Sequence, residues 1–160
     1  MATEKRALDR LDRKILGELQ NDARISNQEL AKRVGLSTAP CWRRLRRLED
    51  EGLIRSYATL LNGPAVGWPI VAYAFVSLEN HHAESVTQFA RLINERPEVL
   101  ECHTVSGNND YLVRVVARSM ESYEQFLTAH LLQIPAVRSV HTSFVLTTKK
   151  YTTRLPVEAA

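Results

Sequence analysis

Apolar residues in the first sixty positions recur at intervals of three and four, the spacing that places side chains on one face of an α-helix. The charged residues between them fall on the remaining faces, as in a helix that buries a single stripe. This pattern predicts a first helix with the apolar stripe Leu8, Leu11, Ile15, Leu16 and Leu19. We expect this stripe to pack against the elements that follow.

The stretch SNQELAKRVG carries the signals of a second helix. Ser26 and Glu29 stand in the S-x-x-E pattern of a capping box, in which each side chain accepts a hydrogen bond from an unpaired backbone N–H. Ile25 before the cap and Leu30 inside the helix suit a hydrophobic staple. Gly35 is expected to end the helix.

A third helix is predicted directly after the short turn GLS. Ser37 is the expected N-cap, and Pro40 falls in the first turn, where a missing backbone N–H costs nothing. Gly52 ends this helix, and LIRSYATLL, which has β-compatible composition, follows as an expected strand or wing. Two helices joined by a short turn that contains Gly, with a third helix before them, form the pattern of a helix-turn-helix domain.

The hydrophobic pattern changes after NGPAVGWP, a stretch rich in Gly and Pro that we interpret as a linker. Strand-like and helical segments then follow in the order β-α-β-β-α-β, with the turn GNN between the two middle strands. That order predicts a ferredoxin-like domain, an antiparallel sheet backed by two helices. The predicted fold class is therefore α+β, with a winged helix-turn-helix domain at 1–61, a linker at 62–69 and a ferredoxin-like domain at 70–160.

Four arginines stand at positions 43–47 of the predicted third helix, with no acid among them. At about 100° per residue, Cys41, Leu45 and Leu48 share one face and define its buried stripe. The opposite direction carries Arg43, Arg46 and Arg47, joined at the N-terminal end by Ala39, while Arg44 and Trp42 flank the stripe. A plain solvated face usually mixes Glu with Lys at i,i+4, so it does not account for this pattern.

An arginine-rich helix of this kind can contact DNA. Arginine makes bidentate contacts to phosphate oxygens or to guanine, and the second helix of a helix-turn-helix enters the major groove with its N-terminal residues at the base edges. Thr38 and Ala39 are small enough to permit close approach at that end, and Thr38 can donate a hydrogen bond. The predicted DNA-binding residues are Thr38, Ala39, Arg43, Arg46 and Arg47, with Arg44 at the margin of the set.

Trp42 allows two interpretations, because it lies beside the buried stripe. Its indole can pack against the preceding helix, or it can contact a base. We favour packing, so Trp42 stays outside the predicted DNA-binding set.

The charge distribution agrees with a polyanionic partner for the first domain. Residues 1–61 carry 13 Lys/Arg and 9 Asp/Glu, whereas residues 62–160 carry 8 and 9. The net charge of +3 therefore comes from the predicted helix-turn-helix domain. A local surplus of this sign favours nucleic acid as the partner.

Membrane, secreted and metal-binding classes find no support in the sequence. No run approaches eighteen apolar residues, and the charged N-terminus MATEKRALDRLDRK lacks the apolar core of a secretory signal. We expect a cytoplasmic, nucleoid-associated protein. Cys41 and Cys102 form no C-x-x-C pattern, and the pair His81 and His82 lacks a second ligand cluster, so no disulfide or metal site is predicted.

The order of elements resembles the Lrp/AsnC (feast/famine) family of prokaryotic transcription regulators. The resemblance rests on LDRLDRKILGELQNDARISNQELAKRVGLS, PCWRRLRRLEDEGLI and SGNNDYLVRV, and it covers almost the entire chain. It implies a sequence-specific regulator of amino-acid metabolism or transport that binds double-stranded DNA as a dimer, often assembled as an octamer, and responds to a free amino acid. The C-terminal SFVLTTKKYTTRLP resembles a subset that answers to leucine, methionine or cysteine.

The resemblance also implies an effector site at a Gly-x-x-Asp turn, which corresponds to Gly107 and Asp110 here. Backbone N–H groups of such a turn suit the carboxylate of an amino acid, and Asp110 suits its ammonium group. Asp110 can also serve only to support the turn, as Asp commonly does, and this alternative stays open. The predicted effector-binding residues are Ser106, Gly107, Asn108, Asn109, Asp110 and Tyr111, with Thr142 and Ser143 of the last strand as further contacts from a neighbouring subunit. No other cofactor is expected.

Two rival functions remain. A ferredoxin-like domain can host an enzyme, but the sequence has no Ser-His-Asp elbow, P-loop, metal cluster or paired-carboxylate motif, so we expect no enzymatic activity. A nucleoid-type architectural protein would bind DNA with little sequence preference and without an effector. The arginine face suits that function equally well, because phosphate contacts carry no sequence information.

Overall fold

Internal contacts divide the chain into two units. The helical unit comprises Met1–Thr59 together with Lys150–Ala160, and the sheet unit comprises Leu60–Lys149. The structure is a computed structural model that describes residues 7–157. The first six residues of the N-terminal stretch, for which we expected no secretory signal, lie outside the described residues, as do residues 158–160.

Three helices form the core of the helical unit: α1 spans Arg10–Asn21, α2 Asn27–Val34 and α3 Thr38–Asp50. Each helix contributes apolar side chains at helical spacing, so the hydrophobic periodicity of the sequence is confirmed. The buried core of this unit consists of Ile15, Leu30, Ala31, Val34, Cys41 and Leu48. The three-helix arrangement predicted from the sequence is therefore confirmed.

The N-terminus of α2 is capped differently from the prediction, and α1 carries a capping box for which no prediction was made. A reciprocal capping box stands at α1, where Asp9 accepts from the Asp12 N–H at 2.9 Å and Asp12 accepts from the Asp9 N–H at 3.2 Å. At α2, Ser26 accepts from the Glu29 N–H at 3.2 Å, but the Glu29 carboxylate accepts instead from Arg33 Nε at 3.0 Å. The capping box predicted at α2 is therefore only half formed.

The turn between α2 and α3 begins at Gly35. Its φ of 77° lies in the left-handed region, which a residue without a side chain adopts at little cost. Ser37 is the N-cap of α3, as predicted, but its side chain makes no capping hydrogen bond. Asn27 instead donates from its side-chain amide to the Thr38 carbonyl at 3.2 Å, which joins the beginnings of the two helices.

No strand or wing forms after α3, contrary to expectation. Residues 53–61 are irregular, and most of them are exposed. A strand needs a neighbour to accept and donate its backbone hydrogen bonds, and no strand in the described part of the chain pairs with this segment. Strand-like composition alone therefore did not decide its conformation.

The sheet unit has the predicted β-α-β-β-α-β order. Its strands are β1 Ile70–Leu78, β2 Val99–Thr104, β3 Tyr111–Ala117 and β4 Val137–Phe144, and its helices are α4 Ala83–Glu95 and α5 Met120–Phe126. A π-helical turn, Leu127–Leu131, continues α5. The strands form one antiparallel sheet in the order β2-β3-β1-β4, so the ferredoxin-like prediction is confirmed. The expected linker contains a short 3₁₀ turn, Pro64–Val66.

Alternation along the strands separates the two faces of this sheet. Ala74 pairs with Val113, and both are fully buried within the core that includes Phe89 of α4 and Phe126 of α5. The other face carries Tyr73, Phe75 and Leu112, which are partly buried and belong to no described core cluster. Among the described residues of the sheet unit, no helix packs on this apolar face of the sheet.

The C-terminal segment follows the last strand of the sheet unit. That strand, β4, ends at Phe144, and residues 145–157 form no strand. The sequence predicted that residues 145–157 belong to the domain at 70–160, but part of this segment contacts α1. Leu155 and Gln20 exchange hydrogen bonds of 2.6 and 3.0 Å, and Arg13 donates to the Val157 carbonyl at 3.1 Å. Hydrophobic periodicity could not predict where this tail packs, because an irregular segment has no periodic pattern of apolar residues.

Candidate nucleic-acid interface and ligand site

Two of the four arginines of α3 face α1. Arg44 Nη1 donates to Asp9 Oδ2 at 2.6 Å and to Asp12 Oδ1 at 2.8 Å, while Arg47 Nη2 donates to Asp12 Oδ2. Asp12 is fully buried, so its charge needs these partners. The helical wheel predicts Arg47 on the outer face, and the structure corrects this, because the wheel does not include the acid that α1 supplies.

These contacts also affect the exposed acid beside Asp12. The Asp12 backbone N–H and then the Arg44 guanidinium hold the pKa of the Asp9 carboxyl below its usual value, although burial opposes them. The Asp9 and Asp12 side chains in turn raise the pKa of Arg44. Arg44 and Arg47 therefore have a structural role in joining α3 to α1.

The other two arginines lie on an exposed face of α3. Ala39, Trp42, Arg43 and Arg46 are all exposed, and their spacing of i, i+3, i+4 and i+7 aligns them along one side of the helix. We call these four residues the exposed stripe. Thr38 is exposed at its N-terminal end. Within residues 7–157, Arg43 has no ion-pair partner, so its charge is available to a ligand.

Trp42 is exposed, and the prediction that it packs against the preceding helix is wrong. Its relative exposure is 48%, and the guanidinium carbon of Arg46 lies 5.5 Å from the centre of its ring. The N-terminal part of α1 lies along the opposite flank of α3, where Asp12 meets Arg44 and Arg47. The wheel places Trp42 at the edge of the buried stripe but cannot tell which edge a neighbouring helix covers.

The guanidinium of Arg46 makes two contacts. It contacts the Trp42 ring, and its Nη1 donates to Glu49 Oε2 at 3.2 Å. Glu49 Oε1 accepts from the Tyr57 hydroxyl at 2.8 Å. Burial, followed by the Glu49 carboxylate, raises the pKa of Tyr57 to about 12, so Tyr57 remains a donor at neutral pH. The network fixes the guanidinium beside the indole.

In the sheet unit, Asp110 is the last residue of the turn between β2 and β3, and its hydrogen bonds hold that turn in place. Its Oδ2 accepts from the Leu78 N–H at 2.7 Å, its Oδ1 lies 2.9 Å from His81 Nε2, and its own N–H donates to the Val76 carbonyl at 2.9 Å. The Leu78 N–H and then His81 lower the pKa of Asp110. These contacts match the alternative that the sequence left open, in which Asp110 supports the turn.

The turn before Asp110 exposes backbone groups. Ser106, Gly107 and Asn108 are exposed, and Gly107 has a φ of 119°. Within residues 7–157 the N–H groups of Gly107 and Asn108 have no hydrogen-bond acceptor. The Ser77 hydroxyl lies 3.3 Å from Asn109 Oδ1, which ties the turn to β1. Unpaired N–H groups on an ordered turn can bind a carboxylate.

The remaining predicted effector residues do not converge on that turn within one chain. The Tyr111 ring packs on Phe89 with a centroid distance of 4.5 Å, and the Thr142 hydroxyl lies 2.6 Å from the Tyr123 hydroxyl. Ser143 is exposed on the other face of β4. Successive strand residues point to opposite faces, so Thr142 and Ser143 cannot both face one ligand from the same chain.

Other kinds of site are not formed by the described residues. Residues 7–157 contain no group of three or more His, Cys, Asp or Glu side chains arranged to hold a metal ion. Cys41 and Cys102 are free, and burial raises the pKa of both thiols. In the same part of the chain, no helix is both long and apolar enough to cross a bilayer.

The helix-turn-helix unit with its exposed basic stripe defines the class of helix-turn-helix DNA-binding proteins, here with a second, ferredoxin-like unit that carries an ordered polar turn. The sequence matches the family description "Winged helix-turn-helix DNA-binding" over residues 8–55. Over residues 71–155 it matches "Lrp/AsnC ligand binding domain". Both matched regions coincide with the elements described above.

Known proteins match the chain over almost the whole length of both sequences. The chain is 38% identical to the transcriptional regulator AzlB of Bacillus subtilis over 94% of this chain and 96% of that protein. It is 40% identical to the leucine-responsive regulatory protein of Escherichia coli over 94% and 92%. The crystal structure of the transcriptional regulator NMB0573/L-Met complex from Neisseria meningitidis matches with a TM-score of 0.91, at 39% identity over 94% and 97% of the two chains.

The chain belongs to the Lrp/AsnC family of transcriptional regulators. The resemblance noted in the sequence is thereby confirmed. The two relatives are named as regulators, and the chain itself matches a DNA-binding domain, so the enzyme alternative is set aside.

Proposed function

We propose that the protein is a cytoplasmic, nucleoid-associated regulator of amino-acid metabolism or transport that binds specific sites on double-stranded DNA. The observation that carries this proposal is the exposed stripe of α3, in which Arg43 and Arg46 stand on the outer face of a helix-turn-helix. Thr38 and Ala39 lie at the N-terminal end, where such a helix approaches base edges. On another side of the same helix, Arg44 and Arg47 donate to Asp12 and so join α3 to α1.

Competition binding tests the proposal for DNA. A labelled duplex from the region upstream of the protein's own gene is bound at 150 mM salt and competed with unlabelled duplexes of that sequence or of random sequence and equal length. We expect the specific competitor to act at a concentration at least a thousand-fold lower, which is typical of sequence-specific proteins. A ratio near one would favour the architectural alternative.

The proposed effector is a free amino acid, with leucine, methionine and cysteine as the leading candidates. A neighbour of high structural similarity was solved as an L-Met complex, which supports this class of ligand. The exposed N–H groups of Gly107 and Asn108 suit the α-carboxylate. Asp110 would act mainly by holding this turn, because its carboxylate already accepts from Leu78.

A thermal-shift screen of the twenty amino acids tests the effector proposal. A ligand that binds only the folded state stabilises it by about 2.7 kcal/mol at a hundred times its Kd, so the effector should raise the melting temperature. The D-enantiomer of each hit is the matched control. Asp110→Asn should weaken the response, whereas Glu95→Gln, which removes an exposed carboxylate on α4, should not. The absence of any hit would count against the effector.

We further propose that the chain self-associates through the helix-free face of its sheet. Tyr73, Phe75 and Leu112 are partly buried apolar side chains on this face, and contact with a second copy would remove the rest of their surface from water. The dimer is the expected unit, and the octamer is the larger assembly that the family resemblance implies. Sedimentation equilibrium should give a multiple of the 18.2 kDa chain mass. A mass of one chain at micromolar concentration would overturn this part of the proposal.

A further inference from the structure

Trp42 is the one member of the exposed stripe that the proposed function has not used. An indole buries a large apolar area when it has the opportunity, and this one remains 48% exposed on α3. Single exposed apolar side chains are common and by themselves indicate nothing. What distinguishes Trp42 is its position between Ala39 and Arg43 on the face that carries the two exposed arginines of α3, Arg43 and Arg46.

The indole is also oriented by a charge. Arg46 lies 5.5 Å from its ring centre, and Glu49, which accepts from Tyr57, holds Arg46 in place. A cation over one ring face leaves the ring edge and the opposite face for a partner. The guanidinium and the indole therefore form a preorganised pair, and only the indole is apolar.

The charges around Trp42 limit the kind of partner. An apolar surface of another protein would have to bury Arg43, which has no ion-pair partner among the described residues, together with the ion pair of Arg46 and Glu49, and burial of these charges is costly. The major groove of DNA supplies phosphates for the arginines and one apolar group for the indole, the C5 methyl of thymine. Ala39, one turn before Trp42, leaves room for that approach.

We propose that Trp42 contacts the C5 methyl group of a thymine in the major groove and thereby contributes to sequence specificity, while Arg43 and Arg46 contribute charge. This inference rests on the proposed DNA-binding function. It assigns apolar base recognition to a residue that sequence reasoning placed in the core.

Replacement of thymine by deoxyuridine removes only the methyl group and so tests the contact directly. The full-length protein first selects a duplex from a random library, and each thymine of the selected duplex is then replaced in turn. Loss of one buried methyl group is worth about 0.8 kcal/mol, so the wild type should lose about four-fold in affinity at one position in each half-site. If the library yields no preferred sequence, the proposed function itself fails, whereas the following comparison concerns Trp42 alone.

Trp42→Ala should bind the selected duplex about ten-fold more weakly and lose the deoxyuridine penalty at that position, with an unchanged salt slope. The matched control is Trp68→Phe, which alters the second tryptophan of the chain, in the sheet unit. It should bind the selected duplex as wild type does. Unchanged affinity in Trp42→Ala would overturn the inference. Weaker binding with an intact deoxyuridine penalty would also overturn it, because Trp42 would then act only by holding Arg46.

Fluorescence gives a second measurement that needs no loss of function. In the Trp68→Phe variant, Trp42 is the only tryptophan of the chain. Its emission should shift and its accessibility to acrylamide should fall when the selected duplex is added. An emission spectrum and quenching constant that stay the same in the bound complex would contradict contact with DNA.

Discussion

The buried carboxylate of Asp12 in α1 pairs with the partly exposed guanidinium of Arg47 in α3, 35 positions further along the sequence. Arg44 shares the same carboxylate, so a single acid with no solvent exposure holds two of the four arginines of α3. Sequence proximity makes the four arginines look equivalent, whereas the ion pairs assign them to two different roles. The first two predictions test this division.

Asp12→Asn should destabilise the helical unit strongly. Removal of one partner from a buried ion pair costs about 3 to 5 kcal/mol, and we expect the lower end of that range because Arg44 keeps Asp9 and both arginines are partly exposed. Asn can still accept the hydrogen bond of the capping box, so the variant isolates the charge. Urea denaturation monitored by far-ultraviolet circular dichroism measures the free energy of unfolding.

Asp9→Asn is the control for this variant. Asp9 also pairs with Arg44, but its side chain is 44% exposed, and exposed pairs contribute at most about 1 kcal/mol. The loss should therefore be much smaller than in Asp12→Asn. Equal losses in the two variants would show that burial of Asp12 has no special weight.

Arg43→Ala should weaken DNA binding and lower the salt slope by about one, as expected when a single phosphate contact is removed. Arg91→Ala removes the same charge from an exposed position on α4 of the sheet unit and should leave both quantities unchanged. Fluorescence anisotropy at several salt concentrations measures affinity and slope together. If both variants lose affinity to the same extent, net charge rather than the exposed stripe would govern binding.

Asp110 should make the sheet unit sensitive to acid. Its pKa is lowered in the folded state by the Leu78 N–H and then by His81, so its contribution to stability is complete above the ordinary value of 3.8. The contribution is lost as the pH falls through the lowered folded-state pKa. The difference in unfolding free energy between wild type and Asp110→Asn should therefore shrink as the pH falls below 3.8. A difference that does not change over this range would contradict the assignment.

Gln20→Ala should release the C-terminal tail from α1. Gln20 exchanges two hydrogen bonds with the backbone of Leu155, and each such bond contributes about 1 kcal/mol. Hydrogen exchange at the Leu155 amide should become faster by at least ten-fold, whereas the amide of Ile15, in the core of the same unit, should exchange as in wild type. Protection of Leu155 that survives the substitution would mean that other contacts hold the tail.

The order of elements could be predicted because the hydrophobic pattern records it. Leu30 in α2 and Leu48 in α3 each belong to an apolar stripe at helical spacing, and both are buried. Alternation along β1 places Ala74 in the core of the sheet unit. The segment after α3 could not be predicted from its composition. Its residues favour a strand, but strand formation depends on a neighbour, which a sequence pattern does not specify.

The candidate site was harder to predict for the same reason. The roles of Arg47 and Trp42 depend on which flank of α3 the N-terminal part of α1 covers, and that is a property of packing. A signal was present at Asp12, an acid inside the predicted stripe of α1, where an unpaired charge would be costly. Asp110 was correctly placed at the turn, but only the geometry distinguishes support of the loop from ligand contact.

The attachment of the tail to α1 has a consequence for biosynthesis. Gln20 precedes Leu155 by 135 positions, so the two leave the ribosome about ten seconds apart at usual rates of translation. Helices α1 to α3 can fold as soon as they emerge, but the helical unit receives its last hydrogen bonds only after the whole sheet unit has been synthesised. A nascent chain can thus present its arginine-bearing helix while the unit that carries it is still incomplete.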